Sequence, residues 1–155
     1  MASDFKDKLA AVKGFRWGFM EAKRYGYIDS QGRNVIAAKF AWALDFCGGL
    51  AVVNVGGEWK NFIINGGKWG YIDKSGTYVV SPMFDYATNF SQGLAAVKQD
   101  GLFGYIDPSG HYVIERRFGY AEAFCEGVAE VRLEFQKLDS IAYINTHGTI
   151  IWPRK

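Results

Sequence analysis

Few residue types in this chain are suited to chemistry, and their placement limits the reactions worth considering. His111 and His147 are the two histidines, and a metal site or acid–base pair would need them to converge with carboxylates. Each instead sits in a short polar turn, Ser109-Gly110-His111 and Thr146-His147-Gly148, which favours an exposed turn residue over a ligand. Cys47 and Cys125 lack ligand spacing, and a small turn residue kept as a reduced thiol is the simpler reading. No serine lies in a nucleophile-elbow context. The pairs Gly56-Gly57 and Gly66-Gly67 lack the following lysine and helix of a phosphate loop. Glu58, Glu122 and Glu126 could in principle pair for glycoside hydrolysis, but no matched pair is apparent. The expectation is a non-enzymatic protein with no catalytic residue, no metal and no cofactor.

Binding is better provided for. The run Glu58-Trp59-Lys60-Asn61-Phe62-Ile63-Ile64-Asn65 lies between two glycine pairs, and reads as a hairpin extension that lifts Trp59 and Phe62 away from the rest of the chain. A shorter counterpart offers Phe135, Gln136, Lys137 and Leu138. Clustered exposed aromatics on a rigid scaffold are typical anchors for a partner. The expected partner-binding residues are therefore Trp59, Lys60, Phe62, Ile64, Phe135, Gln136 and Leu138. The plainer alternative is that these side chains only cap a sheet.

The elements that position these segments come from an internal repeat. WGYIDKSGTYVV at 69–80 returns as FGYIDPSGHYVI at 103–114, as YGYIDSQGRNVI at 25–36, and more weakly as IAYINTHGTIIW at 141–152. A second block follows the first three copies: Phe84, Tyr86, Ala87, Phe90 and Gly93 match Phe40, Trp42, Ala43, Phe46 and Gly49, and then Phe118, Tyr120, Ala121, Phe124 and Gly127. The interval from Gly26 to Gly49, Gly70 to Gly93 and Gly104 to Gly127 is 23 residues each time. Asp29, Asp73, Asp107 and Asn145 are spaced by 44, 34 and 38. The extra residues fall at Gly56–Gly67 and around Glu134–Ser140, between the last strand of one copy and the first of the next. Insertions at one point of the repeat are expected to emerge on one side.

The stretch WGYIDKSGTYVVSPMFDYATNFSQGLAAVKQDG resembles the bacterial WG repeat, also called the KWG repeat, and the resemblance covers roughly residues 17–152. Trp-Gly-aromatic-Ile-Asp, the Asp-x-x-Gly turn and the Phe-x-x-Gly-Leu-Ala block occur together in order. Tyr25 and Phe103 replace the tryptophan in two copies, and Ala142 and Asn145 replace Gly and Asp in the last. The resemblance implies a repeat-built β protein and no single activity.

Each part of the repeat has a physical reading. Trp69, Tyr71 and Asp73 alternate with Ile72 along a strand, and Gly70 allows close approach of a neighbouring backbone. Asp73-Lys74-Ser75-Gly76 supplies the chemistry of a type I turn with a glycine bulge. Asn145 keeps the accepting oxygen without charge, so charge is dispensable there. Phe84, Tyr86, Ala87 and Phe90 are too irregularly spaced for a strand and suit a loop or helical turn that plugs aromatics between sheets. On the third strand Ala51, Ala95 and Ala129 recur with Val53, Val97 and Val131, a closely packed face.

The expected fold is all-β: about four three-stranded β units in one domain, 1–155, with a short N-terminal helix over 4–13 carrying Phe5, Leu9 and Val12 at helical spacing. Another strand is the alternative there, because LAAVK recurs at 94–98. The expected parts are an N-terminal segment 1–16, a lone strand 17–24, repeats at 25–68, 69–102 and 103–140, and a truncated repeat 141–155. Pairing of Phe19–Lys23 with the C-terminal hairpin would close a propeller-like toroid; the alternative is an open β superhelical array. Composition agrees, with 19 Gly and 26 aromatics (12 Phe, 9 Tyr, 5 Trp) against 3 Pro. A net charge of +2 argues against the phosphate-neutralising surface of a nucleic-acid binder. Asp4, Lys6, Asp7 and Lys8 interrupt any secretory apolar core, and no apolar run approaches a membrane span. The sequence therefore suggests a cytoplasmic protein-interaction module of bacterial type, possible roles being an immunity or inhibitor-type protein that occupies an effector. A glycan or cell-wall binding module is the alternative, with aromatic faces stacking on sugars.

Overall fold

The computed structural model describes residues 7–14, 24–61, 63–133 and 140–152. The described elements are all strands: β1 (Leu9–Gly14), β2 (Arg24–Asp29), β3 (Asn34–Phe40), β4 (Trp42–Ala43), β5 (Ala51–Val55), β6 (Glu58–Lys60), β7 (Ile63–Asn65), β8 (Lys68–Ile72), β9 (Tyr78–Phe84), β10 (Tyr86–Ala87), β11 (Ala95–Gln99), β12 (Leu102–Ile106), β13 (Tyr112–Phe118), β14 (Tyr120–Ala121), β15 (Val128–Arg132), β16 (Ile141–Asn145) and β17 (Ile150–Trp152). They form the antiparallel sheets β1-β2-β3, β4-β5-β8-β9, β10-β11-β12-β13 and β14-β15-β16-β17, with β6-β7 as a separate hairpin. The chain divides into two compact units, Met1–Met83 and Phe84–Lys155.

Sheet and sequence repeat are out of phase. Each four-stranded sheet takes a short strand and a long third strand from one copy and the hairpin of the next copy. The irregularly spaced aromatic block is thus not only a loop: Trp42-Ala43, Tyr86-Ala87 and Tyr120-Ala121 each pair with the third strand, for example Tyr86 with Lys98 and Tyr120 with Arg132. This is why three of the described sheets have four strands where three were expected.

The start of the chain corrects the helix expected over 4–13. Leu9–Gly14 is a strand paired with β2 from Leu9↔Asp29 to Gly14↔Arg24. It repeats the β11–β12 pairing, in which Val97 faces Gly104 as Val12 faces Gly26. Leu9 and Ala11 enter the core with Tyr27, Ile36, Phe40 and Phe46, so alternation and the partner strand override helical spacing. The lone strand at 17–24 falls mostly outside the described residues, and its last residue, Arg24, opens β2. The ring-closing segment Phe19–Lys23 also lies outside them. The described residues form no closed barrel or toroid: β16 and β17 complete their sheet with β15 and β14.

The hairpin turns follow the sequence reading. Gly76 donates to Asp73 O at 2.9 Å and Asp73 N to Thr77 O at 2.9 Å, with Gly76 at φ +83°, a type I turn closed by a glycine bulge. Asp73 Oδ1 accepts from the amides of Ser75 and Thr77 at 2.9 and 3.1 Å. Asn145 Oδ1 does the same for His147 and Thr149, both at 3.0 Å. These bonds to the ionised form hold the Asp29, Asp73 and Asp107 carboxyls below the usual range. The largest contributions are the Arg33 amide at Asp29 and the Ser75 and Ser109 hydroxyls at the other two.

A second turn class precedes each third strand. Asp7-Lys8, Gly48-Gly49, Gln92-Gly93 and Glu126-Gly127 all have two successive positive φ values, the signature of a type I′ hairpin. Here the copies are stitched together: Gly49 N donates to Asp7 Oδ2 and Gly127 N to Gln92 Oε1, both at 2.8 Å. Cys47, Ser91 and Cys125 open these turns through bridges to Leu50, Leu94 and Val128. The two cysteines are exposed and not disulfide-bonded.

Two cores result. One joins Leu9, Tyr27, Phe40, Phe46, Val53 and Ile72; the other joins Tyr105, Ile114, Phe118, Phe124, Val131 and Ile144. The motif tyrosine plugs each: Tyr27 lies 4.8 Å from Phe46 and donates to Leu44 O at 2.7 Å, and Tyr105 lies 4.8 Å from Phe124 and donates to Glu122 O at 2.8 Å. Burial raises the pKa of both phenols well above its ordinary value. Gly104 faces a bulge in β13, where an added Cβ would lie 2.7 Å from Ile114 O and 2.9 Å from Arg116 N. That close approach is the physical requirement for glycine in the motif.

Candidate functional site

The insertion between β5 and β8 starts from one residue. Third strands carry a cation at the position facing the first aromatic of the next copy: Lys13 opposite Tyr25 and Lys98 opposite Phe103. In β5 that position is Asn54, opposite Trp69. Asn54 is fully buried, the single buried polar residue among those described. Its Oδ1 accepts from Gly57 N at 3.1 Å and its Nδ2 donates to Gly66 O at 3.3 Å. A Cβ on Gly67 would meet Asn54 Oδ1 at 2.6 Å. The two glycine pairs are therefore the seat of a buried amide, and the hairpin β6–β7 grows from it.

The hairpin has two faces. Trp59 pairs with Ile64 and Lys60 with Ile63, so the expected binding residues Trp59 and Ile64 share one face and Lys60 takes the other. Trp59 does not lift away from the scaffold, which corrects the sequence expectation. Its ring stacks on Trp42 with parallel planes and centroids 4.8 Å apart. Trp42 in turn packs on Tyr25 at 4.8 Å and 55°. Lys13 Nζ lies 5.6 Å from the Tyr25 ring and 5.7 Å from the Trp59 ring, within cation–π range. Indole stacking and the cation hold the hairpin down because they recover apolar contact that a free loop would leave in water. Trp59 keeps 43% of its surface exposed, and Ile63, at 58%, is the most exposed large apolar residue described.

Of the remaining expected residues, Phe62, Phe135, Gln136 and Leu138 lie outside the described residues. The flanks of the second insertion are described: Leu133 N donates to Ser140 O at 3.1 Å, and Leu133 is exposed. β15 and β16 pair directly on either side, as β5 and β8 do, so both insertions occupy the same point of the repeat. Residues 15–23, between β1 and β2, share that point. Sequence reading missed Lys13, Tyr25, Trp42, Asn54 and Ile63. Asn54 carried a signal, being the one third strand to break the Lys/Arg pattern where the chain is also longest.

The candidate chemical groups have structural employment. Ser109 Oγ lies 2.5 Å from Asp107 Oδ1 and 2.8 Å from His111 Nδ1, a composition suggestive of a triad. Ser75 makes the same contacts with Asp73 and Thr77, at 2.5 and 2.8 Å, so the network belongs to the turn. Glu122 accepts from the Tyr120 hydroxyl, which together with burial raises that phenol to about 12. Glu126 is the first of the two positive-φ residues of a type I′ turn. Among the described residues no three His, Cys, Asp or Glu side chains gather as a metal-binding group, and no helix is long and apolar enough to cross a membrane.

Repeating hairpins with a recurring turn network and glycine-permitted bulges define a β-repeat protein. The WG containing repeat family model matches residues 25–59, 69–103 and 103–134, and the chain belongs to that family. No curated protein and no solved structure matches it.

Proposed function

We propose that this chain is a non-enzymatic protein-interaction module whose partner is met by the β6–β7 hairpin. The observation that carries this reading is a hairpin seated on a buried amide and an indole stack, while Ile63, Lys60 and part of Trp59 remain exposed. A rigid scaffold that fixes an exposed apolar residue beside a cation lowers the ordering cost of association. An immunity or inhibitor-type role, in which a cytoplasmic copy occupies an effector, is the narrower form of the proposal. Phe135, Gln136 and Leu138 of the second insertion are further candidate partner-binding residues in this reading.

The test is capture from lysate by the immobilised chain, alongside a glycan array. Ile63→Lys and Trp59→Ala are expected to reduce capture of the specific partner at least about tenfold, as for a hot-spot residue, with thermal unfolding largely retained. A glycan signal lost in Trp59→Ala would assign the surface to sugars instead. Capture unchanged in both variants would remove the hairpin from the interface.

A further inference from the structure

Within each compact unit two successive copies stack through the same contact. Ile36 of β3 is 4% exposed, and it is covered by the next hairpin turn: a Cβ on Gly76 would lie 3.1 Å from its Cγ2. Ile114 of β13 is likewise 4% exposed, under Gly148, whose added Cβ would lie 3.0 Å from it. Arg117 Nη2 reinforces this second contact by donating to Gly148 O at 2.6 Å. The interface is thus a glycine turn as knob and a β-branched residue as seat.

Both halves of this interface also occur unfilled. Trp152 occupies the seat position of the β16–β17 hairpin, since it pairs with Tyr143 as Ile36 pairs with Tyr27 and Ile114 with Tyr105. It is 55% exposed, and Ile150 and Ile151 beside it are exposed too. The Asp29–Gly32 turn is the corresponding knob, with the same bonds as its copies: Gly32 N to Asp29 O at 2.9 Å and Arg33 N to Asp29 Oδ1 at 2.9 Å. Among the described residues nothing lies within 4 Å of a Cβ on Gly32.

We infer that the Asp29–Gly32 turn of one copy docks on Trp152 of a second copy of this chain, continuing the repeat-to-repeat interface between molecules. The occupant follows from the two seats whose cover is seen, each filled by a glycine turn of this sequence. Such a contact is heterologous, knob to seat, and propagates unless it closes into a ring. The large indole face suits the glycine position of the turn, which has no side chain, and burying it supplies the anchor.

Sedimentation velocity across a hundredfold range of protein concentration tests this. The unaltered chain is expected to show a mass that rises with concentration. Trp152→Lys removes the seat, Ile151→Lys provides a second lesion of the same face, and Gly32→Asn fills the knob with a residue that tolerates its positive φ. Each is expected to weaken association at least about tenfold. Mixing Gly32→Asn with Trp152→Lys leaves one intact interface and is expected to yield a one-to-one dimer and nothing larger. A chain of constant monomer mass, or a mixture that forms no dimer, overturns the inference. A monomeric chain whose melting temperature falls in both Gly32→Asn and Trp152→Lys overturns it too, because the two surfaces would then meet within one molecule.

Discussion

The β5–β8 junction and the β11–β12 junction start from the same repeat and end differently. At β11–β12 the strands turn through Asp100 and Gly101, both at positive φ, and Lys98 lies 5.5 Å from the Phe103 ring. Tyr86 and Tyr120 flank that ring at 6.0 and 5.8 Å. At β5–β8 a buried asparagine replaces the cation, and the chain runs out through a hairpin before returning to the same antiparallel register. Trp42, equivalent to Tyr86, then receives Trp59 from the inserted hairpin. The difference teaches that the repeat tolerates elaboration at one point because strand pairing resumes unchanged, provided the polar root of the insertion is satisfied.

The comparison is best challenged first where the two junctions should agree. Gly104→Ala and Gly70→Ala each drive a Cβ to within 2.7 and 2.6 Å of strand backbone, and each is expected to cost about 3 kcal/mol or more. Urea denaturation would show it, and a mild effect at either site would separate the two scaffolds. Asn54→Ala comes next. It strands the Gly57 amide and the Gly66 carbonyl, for an expected loss of about 2 to 3 kcal/mol. Lys98→Ala, which removes the cation–π contact with Phe103, should stay under about 1 kcal/mol. Equal losses would mean that Asn54 is no more than another surface position.

Trp59→Ala is expected to cost less than Asn54→Ala, about 1 kcal/mol for the lost indole stack, with the exciton signal of the Trp42–Trp59 pair disappearing from far-ultraviolet circular dichroism. Persistence of that signal would place the stack elsewhere. The smallest effect concerns pH. Folding lowers the Asp73 and Asp107 carboxyls, so their contribution is present above the unfolded value of about 4 and disappears as pH falls through the folded value. Asp73→Asn with Asp107→Asn should leave neutral stability nearly unchanged and flatten the acid limb of a thermal melt series. A steep loss at pH 7 would show that charge matters where Asn145 suggests it does not.

Much of the fold was legible because its determinants are local. Asp-x-x-Gly turns, the Gly104 type of close approach and the alternating third strand each encode their geometry within a few residues. Leu9–Gly14 was harder: its apolar spacing fits a helix or a strand, and pairing with β2 decided between them. The two-residue strands β4, β10 and β14 were not legible, since a short irregular segment becomes a strand only through a neighbour's hydrogen bonds. At the candidate site the insertion and Trp59 were legible from length and composition. The cradle of Lys13, Tyr25 and Trp42 was not, because those residues come from three other strands.

The sequence by itself determined the repeat, its turns, and the single point at which it admits extra chain, because glycine conformation and side-chain-to-backbone bonds act over a few residues. Only the tertiary structure decided that sheets straddle the repeats, that Asn54 is buried as the root of the hairpin, and that Trp59 lies down on Trp42 while Ile63 stays exposed. Those outcomes depend on which surfaces meet across long sequence separations, where burial and stacking are settled by packing.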